Sequence, residues 1–197
     1  MAQKRKYFIL HKPFKILSQF SDEDGNPGLG SLLDLPKDVY PVGRLDLDSE
    51  GLLILTNDKQ LNHRLLNPKF KHRRTYWVEV DGVPNSAALN ALQEGVTINV
   101  SGRQHATRPC QAQVIKPEGL QERIPPVNTL KHPIRSWLEL QLSEGKNRQV
   151  RRMTAKVGHP TLRLLRVAIE DLQLGTMRSG DLTMISRNVI YKKLKLR

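Results

Sequence analysis

Gly43-Arg44-Leu45-Asp46-Leu47-Asp48-Ser49-Glu50 runs directly into Gly51-Leu52-Leu53-Ile54-Leu55-Thr56. The second half is a continuous apolar run, the pattern of a strand buried on both faces. The first half is a polar loop at the lip of that strand, where a carboxylate can be held rigidly and still meet a substrate. Asp46, Asp48 and Glu50 alternate, which permits two functional readings. Either one carboxylate is a nucleophile or base and the others are solvated, or all three gather a divalent metal. An acidic turn with capping duties explains the same residues without any chemistry.

Working outward, residues 6–12 read as a strand that Pro13 ends. Residues 21–31 form a turn-rich loop, and Leu32 to Pro36 reads as a helical turn. Beyond the apolar run, Asn57-Asp58 caps a helix through Leu61, Leu65 and Leu66, which Pro68 closes. Arg74 to Val80 alternates and is rich in β-formers, with Asp81-Gly82 as the following turn. Ser86 to Leu92 is helical, and Ala106 to Ile115 reads as one strand. Residues 116–133 carry four prolines and little periodicity, so they read as an exposed connection. Ser136 to Leu142 alternates, Asn147 to Val157 is a helix stopped by Gly158, and Leu162–Ile169 and Leu182–Ile185 supply two more strands. Strands interspersed with a few helices, without strict alternation, predict an α+β fold on a mixed or mostly antiparallel sheet.

The chain of 197 residues fits one large domain or two closely joined subdomains, and it is long enough to bury a core without disulfides or metals. Lys and Arg number 32 against 19 Asp and Glu, a net charge of +13 that favours a polyanionic partner. Cys110 stands alone, which excludes an internal disulfide and fits a reducing, cytoplasmic setting. No stretch approaches the ~20 apolar residues of a membrane span, and Tyr7 to Leu10 is too short for a signal sequence. A soluble protein is expected, monomeric for want of a heptad or dimer seam.

Two further segments can carry chemistry. In Lys71-His72-Arg73-Arg74-Thr75-Tyr76-Trp77-Val78-Glu79-Val80, Tyr76 shares a face with Val78 and Val80 and points inward. A tyrosine so placed beside a basic run can stack on a nucleobase, although taken in isolation a core tyrosine is the plainer explanation. In Glu144-Gly145-Lys146-Asn147-Arg148-Gln149-Val150-Arg151-Arg152-Met153-Thr154, the residues Val150, Met153, Thr154 and Val157 form the inward stripe. Arg148 and Arg152 then face outward toward phosphate. Arg151 sits at the edge of the stripe and wants a carboxylate, for which Asp46 is the natural candidate.

Taken in order, Gly43–Asp46 with Gly51–Asp58, then Arg74–Val78, then Gly145–Met153 resemble the RsuA-type pseudouridine synthases, and His11-Lys12-Pro13 resembles that family's opening strand. The likeness runs from about Lys6 to Ile185 and is strongest to the branch that modifies large-subunit (23S) ribosomal RNA. It implies a catalytic domain built on a long bent sheet with a central cleft, expected as a single domain over 1–197; in departure from many relatives, no N-terminal S4 domain is expected. It implies isomerisation of uridine to pseudouridine by base flipping, with no cofactor and no metal, so that Asp48 and Glu50 are loop polarity. The resemblance makes Asp46 the catalytic carboxylate, Tyr76 the residue stacked on uracil and Arg151 the partner of Asp46. Arg44 would fill the space of the flipped base. Arg73, Arg74, Lys146, Arg148 and Arg152 join it as candidate RNA contacts. A metal-dependent nuclease and a non-catalytic RNA-binding protein are the competing classes.

Overall fold

The computed structural model describes residues 4–196, so the expected domain limits at 1 and 197 lie just outside the described residues. In chain order the elements are β1 (Tyr7–Lys12), β2 (Tyr40–Pro41), β3 (Glu50–Thr56), α1 (Lys59–Leu66), β4 (Arg74–Asp81), α2 (Ser86–Glu94), β5 (Thr97–Val100) and β6 (Arg103–Ala106). They continue with β7 (Gln111–Ile115), β8 (Arg135–Leu142), α3 (Gln149–Lys156), β9 (Thr161–Ile169), β10 (Leu172–Gln173), β11 (Leu182–Met184) and α4 (Arg187–Lys193). The α+β expectation holds, with a mixed, largely antiparallel sheet accompanied by α-helices. The chain divides into two compact units, residues 1–72 with 166–197 and residues 73–165.

In the first unit β3 decides the architecture. All seven of its residues are buried. Leu52 and Ile54 enter one core with Tyr7, Ile9, Leu61, Leu65, Ile190 and Leu194. Leu53 and Leu55 enter another with Phe8, Leu10, Ile16, Leu29, Val39 and Leu45. Where a strand feeds two cores both of its faces must be apolar, which is why Leu52 to Leu55 does not alternate. β1 pairs with it antiparallel along its whole length, Tyr7 opposite Thr56 and Lys12 opposite Gly51. The Asp58 carboxylate caps α1 by accepting from the Gln60 and Leu61 amides. It also accepts from the hydroxyls of Tyr7 at 2.8 Å and Tyr191 at 2.7 Å, so one buried group ties β1, α1 and α4 together.

In the second unit β4 and β8 pair antiparallel over eight residues each, with β7 on the far side of β8. Val78, Val80, Leu138, Leu140, Leu142, Val150, Met153 and Leu164 form its core. β5 and β6 make a separate two-stranded hairpin.

Several expectations are corrected. The strand expected over 106–115 is the end of β6 and all of β7, interrupted at 107–110, where Pro109 cannot donate to a ladder. The helical turn expected at Leu32–Pro36 lies earlier, as a 3-10 turn over Leu29–Ser31. The helix expected from Asn147 begins at Gln149, because Arg148 adopts a left-handed conformation at φ 51°. The basic residues after the last strand, for which the sequence offers no element, form α4, capped by Ser186.

Candidate active site

Asp46 is half-buried in the loop between β2 and β3, and hydrogen bonds hold the backbone on both sides of it. On one side, Ser18 Oγ donates to the carbonyl of Leu45 at 2.8 Å and accepts from the Leu45 amide at 3.0 Å. On the other, the Lys15 amide donates to the Leu47 carbonyl at 2.9 Å, and the Ser49 amide closes a turn onto the Asp46 carbonyl at 3.0 Å. Leu45 itself is sunk in the core beside Leu53 and Leu55. The loop can therefore present a carboxylate without paying to order it at each encounter. Arg44, on the same loop, is exposed.

Beneath the loop lies Lys12, whose side chain is fully buried. Its Nζ donates to the carbonyls of Pro13 at 2.8 Å and Ile16 at 2.6 Å. Burial pushes the ammonium down to about 8, against the opposing pull of Glu50, Asp48 and Asp46 and with a smaller push from Arg166. The acidic loop is thus underlain by an internal cation. In the sequence Lys12 reads only as the end of a strand before Pro13. Its burial depends on residues some forty positions away, and no local pattern signals it.

Glu50 corrects a second expectation. It is only 2% exposed at the start of β3, not a solvated loop carboxylate. The next residue, Gly51, has φ +105°, and a Cβ there would overlap the backbone of Arg166 on β9. Arg166 is itself buried, and its Nε donates to the Leu52 carbonyl at 2.8 Å. Among the described residues no three His, Cys, Asp or Glu side chains converge as a metal-binding group, Asp46, Asp48 and Glu50 included.

The other expected site residues belong to the second unit. Tyr76 is half-buried on β4 opposite Leu140 and packs on the apolar core, as its alternation predicted. The opposite face of β4 is covered too, which its alternation does not signal. Glu79 is buried there and receives Arg135 Nη1 at 2.8 Å. Its carboxyl is nonetheless raised, because burial outweighs the neighbouring arginines. Arg73 is exposed and Arg74 half-buried.

Along α3 the inward stripe is as expected, with Val150, Met153 and Thr154 buried and Gln149 added to it. Arg151 is half-buried at the edge of the stripe, and its Nη1 reaches the Thr161 carbonyl at 3.5 Å. Lys146 and Arg148 are exposed. Arg152 departs from the outward, solvated expectation: it is half-buried and donates to the Asn99 carbonyl and, at 3.1 Å, to Asn147 Oδ1. Cys110 offers no thiolate chemistry, since its thiol donates to the Leu92 carbonyl and burial pushes it up to about 11.

Sequence and structural likeness to known proteins point the same way. A family model described as RNA pseudouridylate synthase matches residues 6–156. A ribosomal large subunit pseudouridine synthase E of Xanthomonas axonopodis pv. citri is 51% identical over 86% of this chain and 88% of its own length. Another protein of that name, from Vibrio parahaemolyticus, is 46% identical over 91% of this chain and 73% of its own. Among solved structures, a pseudouridylate synthase superposes with TM-score 0.77 at 28% identity, over 98% of this chain and 74% of its own.

Proposed function

Because the chain belongs to the RNA pseudouridylate synthase family, we propose that it isomerises uridine to pseudouridine in large-subunit (23S) ribosomal RNA, with Asp46 as the catalytic carboxylate. The observation that carries this reading is the loop of Asp46. It is clamped by Ser18 and Lys15, anchored by Leu45 and underlain by buried Lys12, within a chain whose close relatives bear that activity in their names.

The reaction breaks the N1–C1′ glycosidic bond, turns the uracil and forms a C5–C1′ bond; the C5 proton leaves, and N1, freed from the sugar, takes one up. Atoms are conserved and nothing is oxidised, so the chemistry requires neither cofactor nor metal. The uridine must first leave its stack, at a cost of a few kcal/mol. In this proposal Arg44 occupies the vacated place and Tyr76 packs on the extruded uracil. Arg151 serves as counter-ion to Asp46, which acts as the carboxylate on C1′, on C6 or on the C2′ proton. Arg73, Arg74, Lys146 and Arg148 supply contacts to the RNA backbone, while Arg152 is engaged within the protein. The proposal carries with it a single catalytic domain spanning both units, action as a monomer, and a place in the cytoplasm, where ribosomal RNA is matured. No helix among the described residues is long and apolar enough to cross a membrane.

The test is tritium release from ribosomal RNA labelled at uracil C5, with EDTA present. Wild type should release label, and Asp46→Asn should release none while binding RNA within a few-fold of wild type. Absence of release by wild type on both naked RNA and ribosomal particles overturns the reading. Release by both proteins removes Asp46 from the chemistry.

A further inference from the structure

The β5–β6 hairpin plays no part in the chemistry above, and its construction is unusual for a surface hairpin. Of its strand residues only Ile98 is buried. The turn is tight, with Ser101 at φ 51° and Gly102 at φ 82°, and Asn99 Oδ1 accepts from the Gly102 amide at 2.9 Å. So little apolar contact would leave a two-stranded ribbon marginal by itself. Two polar keys add to the packing of Ile98 and Val100 on the core and to the Val96 amide, which donates to Thr107 Oγ1 at 2.9 Å.

The first key is Glu144. Its carboxylate accepts from the Arg108 amide at 2.8 Å and from Gln149 Nε2 at 2.8 Å, and its other oxygen lies 3.2 Å from His105 Nε2. Burial raises this carboxyl, but these donors outweigh it and hold the group below the usual carboxylate range. The second key is Arg152, which bridges the Asn99 carbonyl on β5 and Asn147 Oδ1 in the loop before α3. Gln149 Oε1 meanwhile accepts from the Lys146 amide at 2.9 Å and fixes the same loop. The hairpin, the segment to Arg108 and the loop 145–148 are thereby locked into one piece within the second unit.

That piece is polar and positive. Arg103, Arg108 and Lys146 are exposed, and among the described residues their side chains meet no carboxylate or hydrogen-bond acceptor. Arg103 alternates with His105 along β6, so it lies on the face that turns toward Glu144 and its loop. Cations left unneutralised on a pre-ordered surface suit a polyanionic backbone, whose counterions they displace.

We infer that the β5–β6 hairpin and the 145–148 loop form one pre-ordered surface that grips RNA phosphates through Arg103, Arg108 and Lys146, with Glu144 as its positioning residue. The inference rests on the proposed RNA-modifying function and names where that RNA is held outside the target nucleotide. Glu144 supplies a test whose sign separates the alternatives. On charge alone, removing an acid should tighten RNA binding; if Glu144 holds the cations in place, removing it should loosen binding.

The experiment measures binding of a 23S ribosomal RNA transcript across a potassium chloride series. It compares wild type, Arg103→Gln/Arg108→Gln, Glu144→Ala, and a control double substitution Lys59→Gln/Lys69→Gln in the first unit. The Arg103→Gln/Arg108→Gln protein should lose affinity, and its slope of log K against log salt should be shallower by about 1.4 to 1.8, at roughly 0.7 to 0.9 per phosphate contact. Glu144→Ala should bind several-fold more weakly than wild type, with Glu144→Gln recovering part of the loss. Equal slopes in the two double substitutions, or tighter binding by Glu144→Ala, would overturn the inference. Tritium release by wild type on the same transcript distinguishes the two ways of failing. The functional reading fails if wild type is inactive there and on ribosomal particles; the hairpin assignment alone fails if wild type is active but the slopes coincide.

Discussion

Lys12→Met replaces a buried ammonium by an apolar side chain of similar length, and its effect on stability should depend on pH in a predictable direction. Burial lowers the folded-state value of Lys12 from 10.5 to about 8, so between those limits the unfolded chain holds a proton that the folded protein has released. Stability rises with pH wherever the unfolded state binds more protons. The sign is opposite to that of a lysine that gains a salt bridge on folding: here neutral pH carries the penalty, and alkali relieves it. The interval of 10.5 − 8 = 2.5 pH units corresponds to about 3 kcal/mol at 1.36 kcal/mol per unit. The assay is urea unfolding of wild type and Lys12→Met at intervals from pH 7 to 10.5. Every other titrating group is common to both proteins, so the difference in unfolding free energy isolates Lys12. Wild type should gain about 3 kcal/mol relative to the variant across that range, nearly all of it above pH 8. A difference that stays flat with pH would show that Lys12 reaches solvent in the native state, and the buried cation beneath Asp46 would be wrong.

Two further substitutions probe the same unit. Burial raises the Asp58 carboxyl, but hydrogen bonds from Tyr191, Tyr7 and the Leu61 amide outweigh this and hold it below 3.8. Its stabilisation is therefore present above that value and lost as pH falls through the folded one. Asp58→Asn should cost about 2 kcal/mol at pH 7, and urea titrations of the two proteins should converge below about pH 4. Gly51→Ala would force a Cβ at φ +105° against the Arg166 backbone, and thermal unfolding should report a loss of about 3 kcal/mol or an unfolded product. A change under about 0.5 kcal/mol would contradict the close approach of β3 and β9 at that point.

The elements legible in the sequence are those whose signal is local. The unbroken apolar run of β3, the Asp58 cap of α1, the alternation of β4 around Tyr76 and the stripe of α3 each follow from a few consecutive residues. The β5–β6 hairpin escaped because a ribbon with Ile98 as its one buried strand residue has no hydrophobic period to detect. α4 escaped for a related reason: it packs through Ile190 and Tyr191 while Arg187, Lys192 and Lys193 give it the look of a charged tail. At the candidate site the pattern marks an acidic loop beside the most apolar strand and allows Tyr76 to stack and Arg151 to pair, while the choice of Asp46 as the catalytic carboxylate comes from resemblance. The burial of Glu50 and Lys12 depends on pairing between segments far apart in the chain, and neither residue betrays it to its neighbours.

The two units differ in how the chain supplies them. Residues 73–165 are continuous, but the first unit draws on both ends of the sequence. Its core around Leu52 and Ile54 needs Ile169, Leu172, Ile190 and Leu194, and Asp58 waits for the hydroxyl of Tyr191. During synthesis the second unit can therefore close while the strand that leads out of the Asp46 loop still lacks half of its cover. The Asp46 loop is made before residues 73–165, and the core that underpins its strand is completed only after them.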